Sequence, residues 1–347
     1  MTPDKPARTP FFRISLLFLA GLCAAGQFAK ISIVFADIRT LYPEMGDAVG
    51  YLVSLLSLLG VLLGLFAGLV VARIGFRRVL LGALAAGAAI SLYQASLPPF
   101  PLMLLSRAVE GAAHLAIVVA APTLIAALAE PRHQPLVMTL WSTVFGVTFA
   151  LTAWLGVPLV AAHGLSALFL AHAGLLALAA ILLFALLPRD RIVPRGKTVL
   201  TFAEIVRRHV EVYRSPFLAA PAAGFVFYAL TYVALMTVLS DYIDPAWRAL
   251  TLSAMPLAST ATSLLAGATL LRRLSAVTVV VAGFVSGAVI TLFLIALPGN
   301  PLLCILLFIA LGLMQGASFA VIPELNTGAE NQALANGAIA QAGNIGN

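Results

Sequence analysis

The sequence predicts an all-α polytopic membrane protein made of two pseudo-symmetric six-helix bundles, the second of them truncated. Composition is the first reason: 62% of the 347 residues are hydrophobic, 10% are charged, and the mean hydropathy is +1.06. A water-soluble domain is about half apolar and about a quarter charged, so lipid must be the solvent over most of this chain. The apolar runs are roughly 20 residues long and lack period-2 alternation, which selects helices over a closed barrel. Only those two structures satisfy backbone groups in hydrocarbon. A repeat at a shift of about 200 residues then sorts the spans into two sets of six.

Ten complete spans are expected, at 12–35, 48–72, 79–96, 102–128, 136–160, 165–187, 217–239, 250–271, 276–297 and 302–322, and an eleventh starts near Ala333. Span one follows Lys5, Arg8 and Arg13 and so resembles a signal peptide. Cys23 even suggests a lipoprotein cleavage site, but Leu22 stands where such a site needs a small residue. The apolar run also continues to Phe35, long enough to span, so it reads as an uncleaved helix. Pro and Gly punctuate the loops, as in Leu97–Pro101 and Leu297–Pro301. Cys23 and Cys304 lie far apart within apolar runs and read as buried small hydrophobes.

Charge gives the orientation. One side collects Lys5, Arg8, Arg13, Arg73, Arg77, Arg78, Arg132, Arg272, Arg273 and the basic residues of the segment 187–216, against Arg39 and Arg248 on the other. The basic side is expected to be cytoplasmic, with the N-terminus on it and the protein in the plasma (inner) membrane. This placement accounts for a net charge of +7 without a nucleic-acid partner. The domain plan is a bundle at 1–187, a linker at 188–215 and a second bundle at 216–347. In the linker, Thr201 and Glu204 form a capping-box pattern. Phe202, Ile205, Val206 and Val210 then share one helical face, opposite Arg207, Arg208 and Glu211. That helix reads either as lying on the membrane surface or as a simple tether.

Within the repeat, Gly60, Gly64, Gly68 and Arg73 correspond to Ser259, Ser263, Gly267 and Arg272, and Glu110-Gly111-Ala112 to Gln315-Gly316-Ala317. The glycine stripe predicts close approach of another helix, the gating helix, with no binding role. Span six ends near 187, so the repeat predicts a twelfth span ending near ~387, about 40 residues beyond Asn347.

With these motifs in view, the chain resembles the major facilitator superfamily over essentially its whole length. The 2–3 loop is similar to the family signature G-x-x-x-D-R-x-G-R-R, here with Gly68, Arg73, Gly75, Arg77 and Arg78, and with Ala72 in place of the Asp. That departure puts the family's charge lock on the cytoplasmic side in doubt. Arg107-Ala108-Val109-Glu110-Gly111 resembles the family's span-four pattern, whereas Gly146–Leu151 lacks the G-P motif of its drug–proton antiporters. The resemblance implies that spans one, four, seven and ten line a central cavity. It would gather Gln27, Lys30, Arg107, Glu110, Tyr228, Thr231 and Gln315 at one site, with Tyr232 beside them.

Arg107, Glu110 and His114, at i, i+3 and i+7, share a face of span four on spacing alone. An Arg at a helix centre costs about 2.5–3.5 kcal/mol to insert and so needs a polar interior and a partner. Two readings stand. Arg107 binds an anionic group or modulates a proton-accepting Glu110, or the pair only fixes packing. His114 and His172 each read as packed histidines or as site residues, and Tyr228 and Tyr232 as core or cavity aromatics. Lys30 either points into the bundle or snorkels outward, being about 7.5 Å from the span's end.

The expected function is a secondary transporter of a small polar or anionic solute by alternating access, with proton coupling through Glu110 as one mode. A drug or metabolite efflux antiporter is the alternative, and a receptor or membrane enzyme ranks behind it. No metal-spaced His/Cys/Asp set, nucleophile–base pair or nucleotide loop is present, so no enzyme activity, metal or cofactor is expected. The expected partners are the solute, protons and membrane lipids, and the expected state is a monomer.

Overall fold

The computed structural model describes residues 8–188 and 202–346. Lys5, Thr201 of the predicted capping box, and Arg189, Arg191, Arg195 and Lys197 of the basic segment lie outside the described residues. The first part runs α1 (Phe11–Ser32), α2 (Phe35–Leu41), α3 (Tyr51–Ile74), α4 (Phe76–Gln94), α5 (Phe100–Leu128), α6 (Gln134–Ser142), α7 (Val144–Leu151), α8 (Val157–His163) and α9 (Leu165–Leu186). The second runs α10 (Phe202–Arg214), α11 (Pro216–Tyr242), α12 (Pro245–Ala268), α13 (Ala276–Ala296), α14 (Pro301–Leu325) and α15 (Ala329–Gly346). Among the described residues, ten helical segments are long and apolar enough to cross a membrane.

Helix starts follow the local chemistry. Ser215, Asp244 and Asn300 each cap a helix that opens with Pro, their side chains accepting from Leu218 N, Ala246 N and Leu303 N. A side-chain acceptor satisfies an orphan N–H there, while Pro has none to lose. The turn between α3 and α4 rests on Gly75 at φ 109°, a conformation that side chains disfavour. Span five is broken rather than continuous. After α7 the chain widens into a π turn at Thr152–Gly156, where Val157 N bonds Thr152 O, five residues back, just before Pro158. Pro lacks the donor that an α turn would need, and the wider turn absorbs the defect. Between spans one and two the structure adds α2 and a 3₁₀ segment, Pro43–Gly50, where the sequence suggested only a loop. Ile38 is buried there, and the Tyr42 hydroxyl donates to Pro98 O at 2.6 Å.

The same helix pairings recur in both halves. α5 packs on α3 and α4 as α14 packs on α12 and α13, and α1 meets α7 as α11 meets α15. The halves then exchange partners across the interface, α3 with α15 and α6 with α12. The glycine stripe explains the closeness of the first pair. A Cβ on Gly64 would lie 2.9 Å from Gln341 N, and one on Gly68 2.8 Å from Ala333 O, so α15 is the helix that the stripe admits.

Hydrogen bonds between the halves gather toward the end that carries the basic loops. Asn336 Nδ2 donates to Thr123 Oγ1 (3.1 Å), Thr139 Oγ1 to Gly316 O (2.7 Å), Gln315 Nε2 to Ser142 O (3.1 Å) and Gln341 Nε2 to Val61 O (2.5 Å). On that same end Arg77 donates to Leu187 O and Phe184 O, placing a cation on the carbonyl end of α9. In α10, Val206 and Val210 are exposed whereas Val212 is buried.

Candidate functional site

The buried polar face of α5 is where the structure concentrates its charge. Arg107, Glu110 and His114 are 0%, 0% and 3% exposed. Lys30 of α1 meets them from the side and is 1% exposed. Its Nζ donates to Glu110 Oε1 (2.5 Å), Gln94 Oε1 (2.6 Å) and Ser91 Oγ (2.7 Å), which commits all three ammonium protons. The outward-snorkelling reading of Lys30 is therefore overturned: a carboxylate and two neutral acceptors inside the bundle outcompete the nearby surface.

Arg107 Nη1 donates to Glu110 Oε2 (2.5 Å) and Gln27 O (2.8 Å), and its Nε to Leu52 O (2.7 Å). Gln94 Nε2 donates to Glu110 Oε2 (2.9 Å) and Ser106 Oγ (3.0 Å). Ser91 Oγ accepts from Lys30 and passes its own proton to His172 Nδ1 at 2.8 Å. His172 Nε2 lies 2.9 Å from Cys23 O, which can only accept. The hydrogen-bond pattern thus assigns the neutral Nε2–H tautomer to His172. One carboxylate holds two cations, and the bonds tie α1, α3, α4, α5 and α9 into one unit.

Gln27 joins this unit through its backbone. Its side-chain amide is buried beside Gly87 of α4, with neither Nε2 nor Oε1 partnered among the described residues.

One turn along α5 the character changes. A cavity of about 450 Å³ separates the halves, walled by Phe28, His114, Trp141, Phe145 and Phe149 on one side and Phe225, Tyr228, Tyr232, Gln315 and Phe319 on the other. Asn336 and Asn344 of α15 also line it. No Lys, Arg, Asp or Glu occurs among its described lining residues. Several polar groups on the wall are already committed. Gln315 donates to Ser142 O and accepts from Ser259 Oγ at 3.3 Å, and Asn336 Nδ2 is held by Thr123 and by Gln332 O. Ser142 Oγ donates to Thr139 O.

The Tyr228 and Tyr232 hydroxyls and His114 Nε2 have no hydrogen-bond partner among the described residues. His114 Nδ1 is anchored on Ala24 O at 3.0 Å, and its ring stands edge-on to Phe28 and Phe145 at centroid distances of 5.1 and 6.0 Å.

The set that the sequence gathered into one site is therefore divided. His114, Tyr228, Tyr232 and Gln315 line the cavity; Lys30, Arg107, Glu110 and Gln27 lie behind it in the first bundle. The physical reason is that Lys30 spends all its donors, and Arg107 its Nε and Nη1, on the bundle's own acceptors, while Arg107 Nη2 is buried without a partner among the described residues. Thr231, half-buried on α11, is not among the lining residues. Sequence reasoning missed the aromatic wall and Asn336. Single aromatics in apolar runs carry no periodic signal, although an Asn in a buried helix is a visible anomaly.

The family model described as Major Facilitator Superfamily matches residues 14–347. A comparison with curated protein sequences finds no match. Among solved structures the chain is similar to FucP, a Major Facilitator Superfamily transporter in the outward conformation, at 14% identity and a TM-score of 0.74, covering 98% of this chain and 90% of that one. A companion structure gives FucP as the E. coli fucose:proton symporter. The human organic anion transporter MFSD10 matches at 18% identity and 0.72, covering 97% and 92%. The proton:xylose symporter XylE matches at 13% and 0.73, covering 97% and 86%. At these identities the likeness shows the shared fold.

Proposed function

The chain belongs to the Major Facilitator Superfamily, and from that premise we propose that this membrane transporter moves a small, uncharged, ring-bearing solute by alternating access. The observation that carries the reading is the cavity between the halves. Its walls are aromatic, its described lining lacks charge, and its polar atoms unpartnered among the described residues include His114 Nε2, two tyrosine hydroxyls and the amide oxygens of Asn336 and Asn344. Aromatic faces pack flat apolar surfaces, and a few well-placed polar atoms fix orientation. The anionic class has less support because Lys30 has no donor left and Arg107 gives its Nε and Nη1 to Leu52, Gln27 and Glu110, keeping only a fully buried Nη2 unpartnered among the described residues.

The positive-inside rule puts the basic loops in the cytoplasm and the N-terminus with them. The hydrogen bonds between halves lie from mid-membrane toward that end, which supports a conformation closed to the cytoplasm. The division into 1–187, 188–215 and 216–347 fits the pairing of α3–α5 with α12–α14. Glu110 balances two cations, so adding a proton to it would leave both without a counter-charge. We therefore assign it a structural role.

The aromatic wall equally suits a second reading, export of an amphipathic organic compound, which differs in the direction of flux. The test is uptake into proteoliposomes of uncharged ring compounds, anions and cations, in both orientations and with and without a pH gradient. Saturable flux of uncharged compounds is expected. Flux confined to anions would refute the reading.

A further inference from the structure

We infer that His114 is the specificity-determining group of the cavity: it demands a hydrogen-bond donor from the solute, and its own protonation cancels that demand. The inference rests on the transport reading above and deepens it. Ala24 O is a carbonyl oxygen and can only accept, so the 3.0 Å contact puts a proton on His114 Nδ1 in every ionisation state. Neutral His114 therefore has its lone pair on Nε2. That atom belongs to a ring lining the cavity and has no partner among the described residues. Phe28 and Phe145 stand edge-on to the ring and hold its plane.

Among the other candidate contacts, the hydroxyls of Tyr228 and Tyr232 can donate or accept and so do not discriminate, while the amide oxygens of Asn336 and Asn344 are acceptors at every pH and cannot reverse their demand. His114 does discriminate: a solute O–H or N–H fits Nε2, whereas an ether oxygen or a carbonyl at that place faces a lone pair. Protonation at Nε2 reverses this without disturbing the anchor on Ala24. The wall then offers a donor and a positive charge, and a solute hydroxyl loses its acceptor.

The groups that such a proton meets can be named element by element. On α5 itself they are Glu110 and Arg107, one and two turns away. On α1 it is Lys30, which lies beyond the Phe28 contact and is bound to Glu110. On α9 it is His172, whose ring is committed to Ser91 and Cys23 O. Across the cavity α11 presents Tyr228 and Tyr232. The lining residues of α6, α7, α14 and α15 include no ionisable acid or base. His172 carries the opposite tautomer, which gives an internal contrast on the same chain.

The experiment has two arms on the full chain in nanodiscs. In the first, ¹⁵N NMR of histidine-labelled protein reads tautomers without any solute, with assignment by His114→Gln and His172→Gln. We expect neutral His114 to be protonated on Nδ1 and His172 on Nε2. A His114 signal protonated on Nε2, or one averaged over both nitrogens, overturns the inference and leaves the transport reading standing. In the second, uncharged ring alcohols and their methyl ethers compete in proteoliposome flux at pH 5 and pH 8. The alcohols should be favoured at least about tenfold at pH 8, and His114→Phe should erase both the preference and its pH dependence. If alcohol and ether transport equally, or if the preference survives in His114→Phe, the inference fails. If neither class is transported by the native chain while anions are, the solute reading fails and the inference built on it falls too.

Discussion

Glu110 and His114 sit one turn apart on α5, yet they belong to different regions. Glu110 lies in a buried set of hydrogen bonds where two cations, one carboxylate and several neutral groups meet inside the first bundle, with Arg107 Nη2 and the Gln27 amide left unpartnered among the described residues. His114 opens on a cavity shared by both halves, where Lys, Arg, Asp and Glu are absent from the described wall. The first region is rich in charge and offers little to a solute. The second is poor in charge and retains unpaired polar atoms. Ionisable residues in a membrane span are by default functional candidates. On the function proposed above, their bonding pattern fits a role in holding the bundle together, with recognition left to neutral groups.

The largest expected effect breaks the charged region alone. Glu110→Gln leaves Lys30 and Arg107 buried without a counter-charge, which should cost about 3–5 kcal/mol of stability. Thermal unfolding in detergent should show it as a large drop in midpoint. A variant that unfolds like the native chain and loses only its pH-dependent transport would mean that Glu110 titrates, and the contrast would collapse.

Next comes the seam between the halves. Gly64→Leu drives a side chain into the backbone of α15, where a bare Cβ would already lie 2.9 Å from Gln341 N. Overpacking of this kind costs about 1–3 kcal/mol, and the cost applies to the conformation in which α3 and α15 touch. Distances between spin labels on the two basic faces should therefore lengthen, while the unfolding midpoint changes less than for Glu110→Gln. Unchanged distances would show that the seam is not held by this packing.

A milder change tests the cavity. Tyr228→Phe removes one unpaired hydroxyl and keeps the aromatic surface. It should weaken solute affinity by roughly 0.5–1.5 kcal/mol, about tenfold at most, with no loss of stability. An unchanged affinity would take Tyr228 out of the recognition set.

The smallest effect lies outside both regions, in the loop after α5. Partial desolvation works against the charge of Glu130, but the hydrogen bonds from Arg132 and Thr9 N, with the charges of Arg132 and His133, hold its carboxyl below the ordinary value. A lowered value means that its contribution is present above the ordinary carboxylate range and fades as the pH falls through the lowered one. Acid titration of unfolding midpoints should give a slightly shallower slope for Glu130→Gln than for the native chain. An identical slope would show that the loop contributes nothing.

Much of this was legible in the sequence, and the illegible parts have physical causes. The spans follow from hydropathy, and the Arg107–Glu110 pair follows from i, i+3 spacing, which the 2.5 Å contact bears out. The direction of Lys30 could not be read, since it depends on Ser91 and Gln94, more than sixty residues away. α2 and the 3₁₀ segment were hidden because Pro43, Gly46 and Gly50 look like loop punctuation, while Ile38 and Tyr42 fold them onto the bundle through contacts distant in sequence. The cavity was the least visible feature. Its wall takes single aromatics from helices of both halves, and no local pattern marks a Phe as facing an empty space rather than a neighbour.

The most direct measurement removes the charged region as a unit. Replacing Lys30, Arg107 and Glu110 together by Met keeps the local charge balanced closely enough to avoid a stranded ion, and apolar substitution of a buried ion set is often neutral or stabilising. The variant would be followed by its unfolding midpoint and by proteoliposome flux of the solute that the native chain transports. We expect a folded protein whose flux and solute preference stay within a few-fold of the native values. A folded protein that no longer transports would show that the ions belong to the transport machinery, and it would contradict the separation of scaffold from cavity.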